Sequence, residues 1–146
     1  MERLHFTALV VLLASTAGLP ALSDNVVLVP FDTNVVGTFD IATSKFSAAV
    51  ATGSLTIGGK FAAAAAVGPT VVFAPYSANV VGVFNVATNT FTAAVATGSL
   101  TIGGKFAGAA AVGTTVVFAP HSANVVGVFN VATNTFTEAV ATGSVT

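Results

Sequence analysis

Few side chains in this sequence could do chemistry. Beyond residue 23 the only histidine is His121, and the only acids are Asp24, Asp32, Asp40 and Glu138. Zinc takes three or four ligands, and the chain has no cysteine, so a lone His121 is a poor metal centre. A nucleophilic triad needs an acid positioned behind the histidine, and none of the four is locally paired with it. Two carboxylates for glycoside cleavage would have to come from the same four. The sequence therefore reads as non-enzymatic, with no catalytic residue, metal or cofactor assigned.

Two further patterns invite chemistry. The stretch "GSLTIGGKF" (53–61, again 98–106) evokes a phosphate loop. That motif needs a glycine where Ser54 and Ser99 stand, a Ser/Thr where Phe61 and Phe106 stand, and a helix after it. A loop between strands is the better reading. Thr88, Thr90 and Thr92 alternate as a flat ice-binding array would, and so do Thr133, Thr135 and Thr137. The first copy breaks the array with Thr43, Lys45 and Ser47, and alternation is what any half-exposed strand shows.

A third pattern holds up better. Three loops read "PFDTN", "PYSAN" and "PHSAN", so Phe31, Tyr76 and His121 vary between near-constant neighbours. Variation in loops on a rigid scaffold is where recognition usually lives. Asn34, Asn79 and Asn124 close the same loops, either as ligand-binding amides or as supports of their own tight turns. Aromatic rings with amides could hold a carbohydrate or a peptide segment.

The elements that must position these residues come from a repeat. A shift of 45 residues aligns Pro30, Pro75 and Pro120, and residues 71–101 match 116–146 at all but three positions. One period divides into four strands: "FAAAAAV" (61–67), "TVVFAP" (70–75), "VVGVFNVA" (80–87) and "FTAAVAT" (91–97), bounded by Gly, Pro, Asn and Ser. The alanine run alone would favour a helix. Seven residues between turns are too few for a stable one. In the third strand Val81 and Val83 point to one face and Val80, Phe84 and Val86 to the other, so the sheet is covered on both sides. Four antiparallel strands per unit, this period and two buried faces describe an all-β, β-propeller-like blade. Small residues in "FAGAAAVG" suit the crowded innermost strand. In such a meander the loop after the second strand and the loop between blades emerge at one end. That edge would gather the three rings, the three asparagines, Lys60 and Lys105.

The run "VVFAPHSANVVGVFNVATNTF" resembles the repeat of YVTN-type β-propellers, and is similar to uncharacterised propeller-repeat proteins of single-celled algae. The resemblance implies a blade fold and says almost nothing of activity, because propellers host many functions. The usual Asp before "xAT" is kept as Asp40 and becomes Asn85 and Asn130. Blades are expected over 25–53, 60–98 and 105–143, eleven strands after residue 24, or roughly 2.75 blades where propellers have four to eight. Either several copies close a ring as a homo-oligomer, or missing blades belong to a longer chain.

Composition limits the partners. Charged residues make up 6% of the chain and hydrophobic ones 54%, and the repeat region has three lysines and no arginine, so no basic patch for nucleic acid exists. Residues 1–23 pair an early Arg3 with an apolar run from Ala8 to Ala14, then Pro20 and the small Ala21 and Ser23. That is the layout of a secretory signal peptide, with a run too short to span a bilayer. The expectation is a secreted protein with a repeat domain over 24–146 and no membrane span after signal removal, acting as a non-enzymatic binding or structural scaffold. Two alternatives remain: a fragment of a larger propeller enzyme (hydrolase or lyase), and a self-associating surface or coat protein.

Overall fold

Valine, phenylalanine and threonine crowd the interrupted runs of this chain, and β-branched and aromatic side chains fit a pleated, half-buried surface. The computed structural model describes residues 25–143 and, as backbone, Thr7–Leu12. These residues form twelve strands. They are β1 (Thr7–Leu12), β2 (Asn25–Val29), β3 (Val35–Asp40), β4 (Lys45–Ala51), β5 (Phe61–Val67) and β6 (Thr70–Pro75). There follow β7 (Val80–Asn85), β8 (Thr90–Ala96), β9 (Phe106–Val112), β10 (Thr115–Pro120), β11 (Val125–Asn130) and β12 (Thr135–Ala141). Among the described residues no helix is long and apolar enough to cross a membrane.

The strands make three antiparallel sheets, each an up-and-down meander: β1-β2-β3-β4, β5-β6-β7-β8 and β9-β10-β11-β12. Register repeats with the sequence. Val72 faces Val83 in the middle sheet and Val117 faces Val128 in the last. The first sheet departs from the expected three strands. Thr7–Leu12, inside the segment read as a signal peptide, pairs with β2 as a fourth strand. A short aliphatic run carries no periodicity that separates a strand from the apolar stretch of a signal peptide. The remainder of that segment lies outside the described residues.

The hairpins between the third and fourth strands share one device. Asp40 Oδ1 accepts the Thr43 N–H at 2.8 Å, and Asn85 Oδ1 and Asn130 Oδ1 accept those of Thr88 and Thr133 at 3.1 Å. Asp and Asn exchange freely here because only the acceptor oxygen is used. The next corner takes left-handed backbone at Ser44, Asn89 and Asn134, with φ of 53–54°. Thr88 and Thr90 join their hydroxyls at 2.8 Å, as do Thr133 and Thr135, so these threonines bind one another in the turn.

Sheets stack face to face, closest along their first strands and diverging toward their fourth. Val27, Val29 and Val36 of the first sheet pack on Phe61, Val71, Phe73 and Phe84 of the middle one. The opposite face of the middle sheet, with Val72, Ala74 and Val81, packs on Phe106, Val116, Phe118 and Phe129. Both faces of β7 are thus buried, Val81 toward one neighbour and Phe84 toward the other. Phe61 and Phe106 lie across the third strands of their own sheets. A Cβ on Gly82 would come within 2.6 Å of the Phe61 ring, and one on Gly127 within 2.7 Å of Phe106.

Candidate functional site

The loops that follow β2, β6 and β10 are built alike. After Pro30, Pro75 and Pro120 the chain turns, and the backbone carbonyls of Asn34, Asn79 and Asn124 accept the N–H groups of Thr52, Thr97 and Thr142 at 2.8–2.9 Å. The asparagines therefore hold their loops through the main chain. Their side chains are exposed and make no hydrogen bond among the described residues.

Each ring residue is stapled to the connection that enters the next sheet. Lys60 N–H donates to the Phe31 carbonyl at 2.8 Å, and Lys105 N–H to the Tyr76 carbonyl at 2.9 Å. In return Tyr76 N–H donates to the Lys60 carbonyl and His121 N–H to that of Lys105, at 2.9 and 2.8 Å. These paired bonds propagate from sheet to sheet and set the spacing of the rings. Phe31 and Tyr76 lie 5.6 Å apart between ring centres, and Tyr76 and His121 5.5 Å, tilted by 49° and 55°. Such spacing is within aromatic contact, and tilted pairs are favoured over flat sandwiches. The result is a continuous row of three rings along one edge of the molecule.

Two glycines that sequence reasoning passed over lie against the row. Gly59 and Gly104 have φ of 62° and 69°, which side-chain-bearing residues rarely adopt. A Cβ on Gly59 would stand 3.6 Å from both Phe31 and Tyr76, and one on Gly104 3.5 Å from Tyr76 and 3.4 Å from His121. The signal was present in the unchanged "GGKF" of both connections. Ser77 and Ser122 flank the row, with Ser122 Oγ 3.0 Å from His121 Nδ1. In the first copy Asp32 stands at the serine position, and its Oδ1 accepts the Gly59 N–H at 2.8 Å.

Lys60 and Lys105 depart from expectation. Both were expected on the ligand-facing edge, and both are fully buried. The Lys60 ammonium donates to the carbonyls of Ile57 at 2.6 Å and Asp32 at 3.3 Å. Lys105 donates to those of Ala78 at 3.1 Å and Ser77 at 3.5 Å. The long apolar stem is buried while the head reaches backbone carbonyls, those of the preceding loop for Lys105 and those of the preceding loop and its own connection for Lys60. Burial holds both amines below the 10.5 of a free lysine, and the Asp32 charge opposes that shift at Lys60. They are internal staples, unavailable to a ligand.

His121, Asp32, Asp40 and Glu138 do not converge. Glu138 accepts a bond from Ser99 Oγ at 2.9 Å on the outer strand of the last sheet, and Asp40 is engaged in its hairpin. Among the described residues no three His, Asp or Glu side chains come together as a metal site would require. What the edge offers is three rings, exposed amides, the hydroxyls of Ser77 and Ser122 and, in the first copy, the Asp32 carboxylate. The sequence matches no protein-family model and no curated protein.

Proposed function

We propose that the protein is a secreted, non-enzymatic β-propeller-repeat scaffold that binds a glycan along the ring-bearing loop edge. The observation that carries this is the row Phe31–Tyr76–His121, flanked by the exposed amides of Asn34, Asn79 and Asn124. Rings supply flat apolar contact and amides supply directed donors and acceptors, the combination that fixes a neutral polar ligand. With both nearby lysines buried, the charge this edge presents to a ligand is the Asp32 carboxylate beside Phe31. Propeller geometry is supported by four-stranded meanders that approach closely at their first strands and splay at their fourth. Secretion rests on the layout of residues 1–23.

The test is a titration of the full chain against a panel of neutral glycans and, in parallel, of extended peptides. Saturable glycan binding that Tyr76→Ala weakens roughly two- to tenfold supports the assignment, since losing one stacking ring removes roughly 0.5–1.5 kcal/mol. Binding of peptides alone would reassign the ligand. Glycan binding indifferent to both Tyr76→Ala and His121→Ala would remove the edge from consideration.

A further inference from the structure

The last sheet repeats a socket that the middle sheet fills. In the middle sheet Ala63, Ala65, Val72, Ala74 and Val81 lie beneath the phenylalanines of the last sheet. Their counterparts 45 residues on are Gly108, Ala110, Val117, Ala119 and Val126, and these line an open groove of about 520 Å³. Val72 is fully buried, whereas Val117 is 36% exposed and Val112, at the end of β9, is 74% exposed. An apolar face of this kind on a soluble protein marks an interaction site.

The polar half of the socket repeats as well. Lys105 places its backbone N–H on the Tyr76 carbonyl and its ammonium on the carbonyls of Ser77 and Ala78. The corresponding carbonyls of the last sheet are those of His121, Ser122 and Ala123, and among the described residues no lysine reaches them. Carbonyls at the mouth of an apolar groove define what fits: an extended chain with a lysine followed at once by a large ring.

We propose that the outer face of β9, β10 and β11 is a docking site for another repeat unit of this kind, carried by a partner polypeptide and opening with Gly-Gly-Lys-Phe. The incoming lysine would staple to His121, Ser122 and Ala123, and the incoming phenylalanines would cover Val117, Ala119 and Val126. A second copy of the chain is the poorer occupant. Its two Lys-Phe pairs, at 60–61 and 105–106, are already seated on its own sheets.

The test attaches the occupant. A chain extended after Gly143 by a repeat of residues 99–143 presents one further Lys-Phe to the socket. In repeat proteins each docked neighbour adds an interface term to stability. The extended chain should therefore melt in one transition, several degrees above the original. Lys→Met in the added unit, or Ala119→Glu in the host, should cancel the gain. An added unit that protease removes while residues 25–143 survive, with the melting temperature unmoved, would overturn the proposal. Should the extension misfold, the peptide TIGGKFAGAAAV (101–112) is titrated into the full chain instead. Saturable binding that a Lys→Ala peptide weakens about tenfold supports the socket, as loss of a charged donor should. Peptide binding that is absent or blind to that change overturns it. Self-association of the unextended chain that Ala119→Glu abolishes, without peptide binding, would also overturn it and name a second copy as the occupant.

Discussion

At the scale of single residues, the buried lysines invert the ordinary use of a charged side chain. Lys60 and Lys105 each set an ammonium against backbone carbonyls, Lys105 on Ser77 and Ala78 and Lys60 on Ile57 and Asp32. Lys105→Met keeps the stem but leaves the Ser77 and Ala78 carbonyls without their donor. It should lower the unfolding free energy by about 1–3 kcal/mol in urea titrations, the cost of stranding buried acceptors. The same burial makes a pH prediction. In the folded chain both amines lie below 10.5, and in the unfolded chain they regain that value. Between the two, the unfolded chain holds more protons, so stability rises with pH as the folded amines discharge, until 10.5 is passed. Urea midpoints measured from neutral pH to about pH 10 should increase, and the increase should shrink in Lys105→Met. A falling midpoint in both chains would contradict the assigned direction.

At the scale of elements, the third strands of the middle and last sheets are thinned to admit a ring. Gly82 and Gly127 interrupt otherwise apolar, β-branched strands, which costs backbone entropy and side-chain packing. The Phe61 and Phe106 rings explain them, since a Cβ would stand 2.6 and 2.7 Å away. Gly82→Ala should therefore destabilise the chain by about 1–3 kcal/mol, as overpacking a filled core does. Thermal melting would check it, and an unchanged Tm would mean that the Phe61 ring moves aside freely. Strand boundaries were legible in the sequence: β5 and β6 run over the residues that the Gly and Pro punctuation marks out. The third strand stops at Asn85, two residues before the expected end, because its side chain accepts the Thr88 N–H and starts the turn.

For the whole molecule, identical sequence meets unequal surroundings. The segment TVVFAP is buried from Val71 to Pro75 in β6, but in β10 only Val116 and Phe118 are. A neighbour covers both faces of the middle sheet and one face of the last. Local opening follows such differences in burial. Amides of β9 should therefore exchange with solvent faster than their counterparts in β5, and equal protection would show that something covers the last sheet in solution. What the sequence by itself determined was the unit: a 45-residue period, its strands, its alternating faces and the loops that carry Phe31, Tyr76 and His121. Those follow from local rules, pleat periodicity and turn chemistry, and each repeat obeys them alone. Only the tertiary structure decided that the three rings touch, that Lys60 and Lys105 turn inward and that Thr7–Leu12 forms a strand. These depend on which sheet stands beside which, and a lysine carries the same letter whether its ammonium meets water or a neighbour's carbonyls.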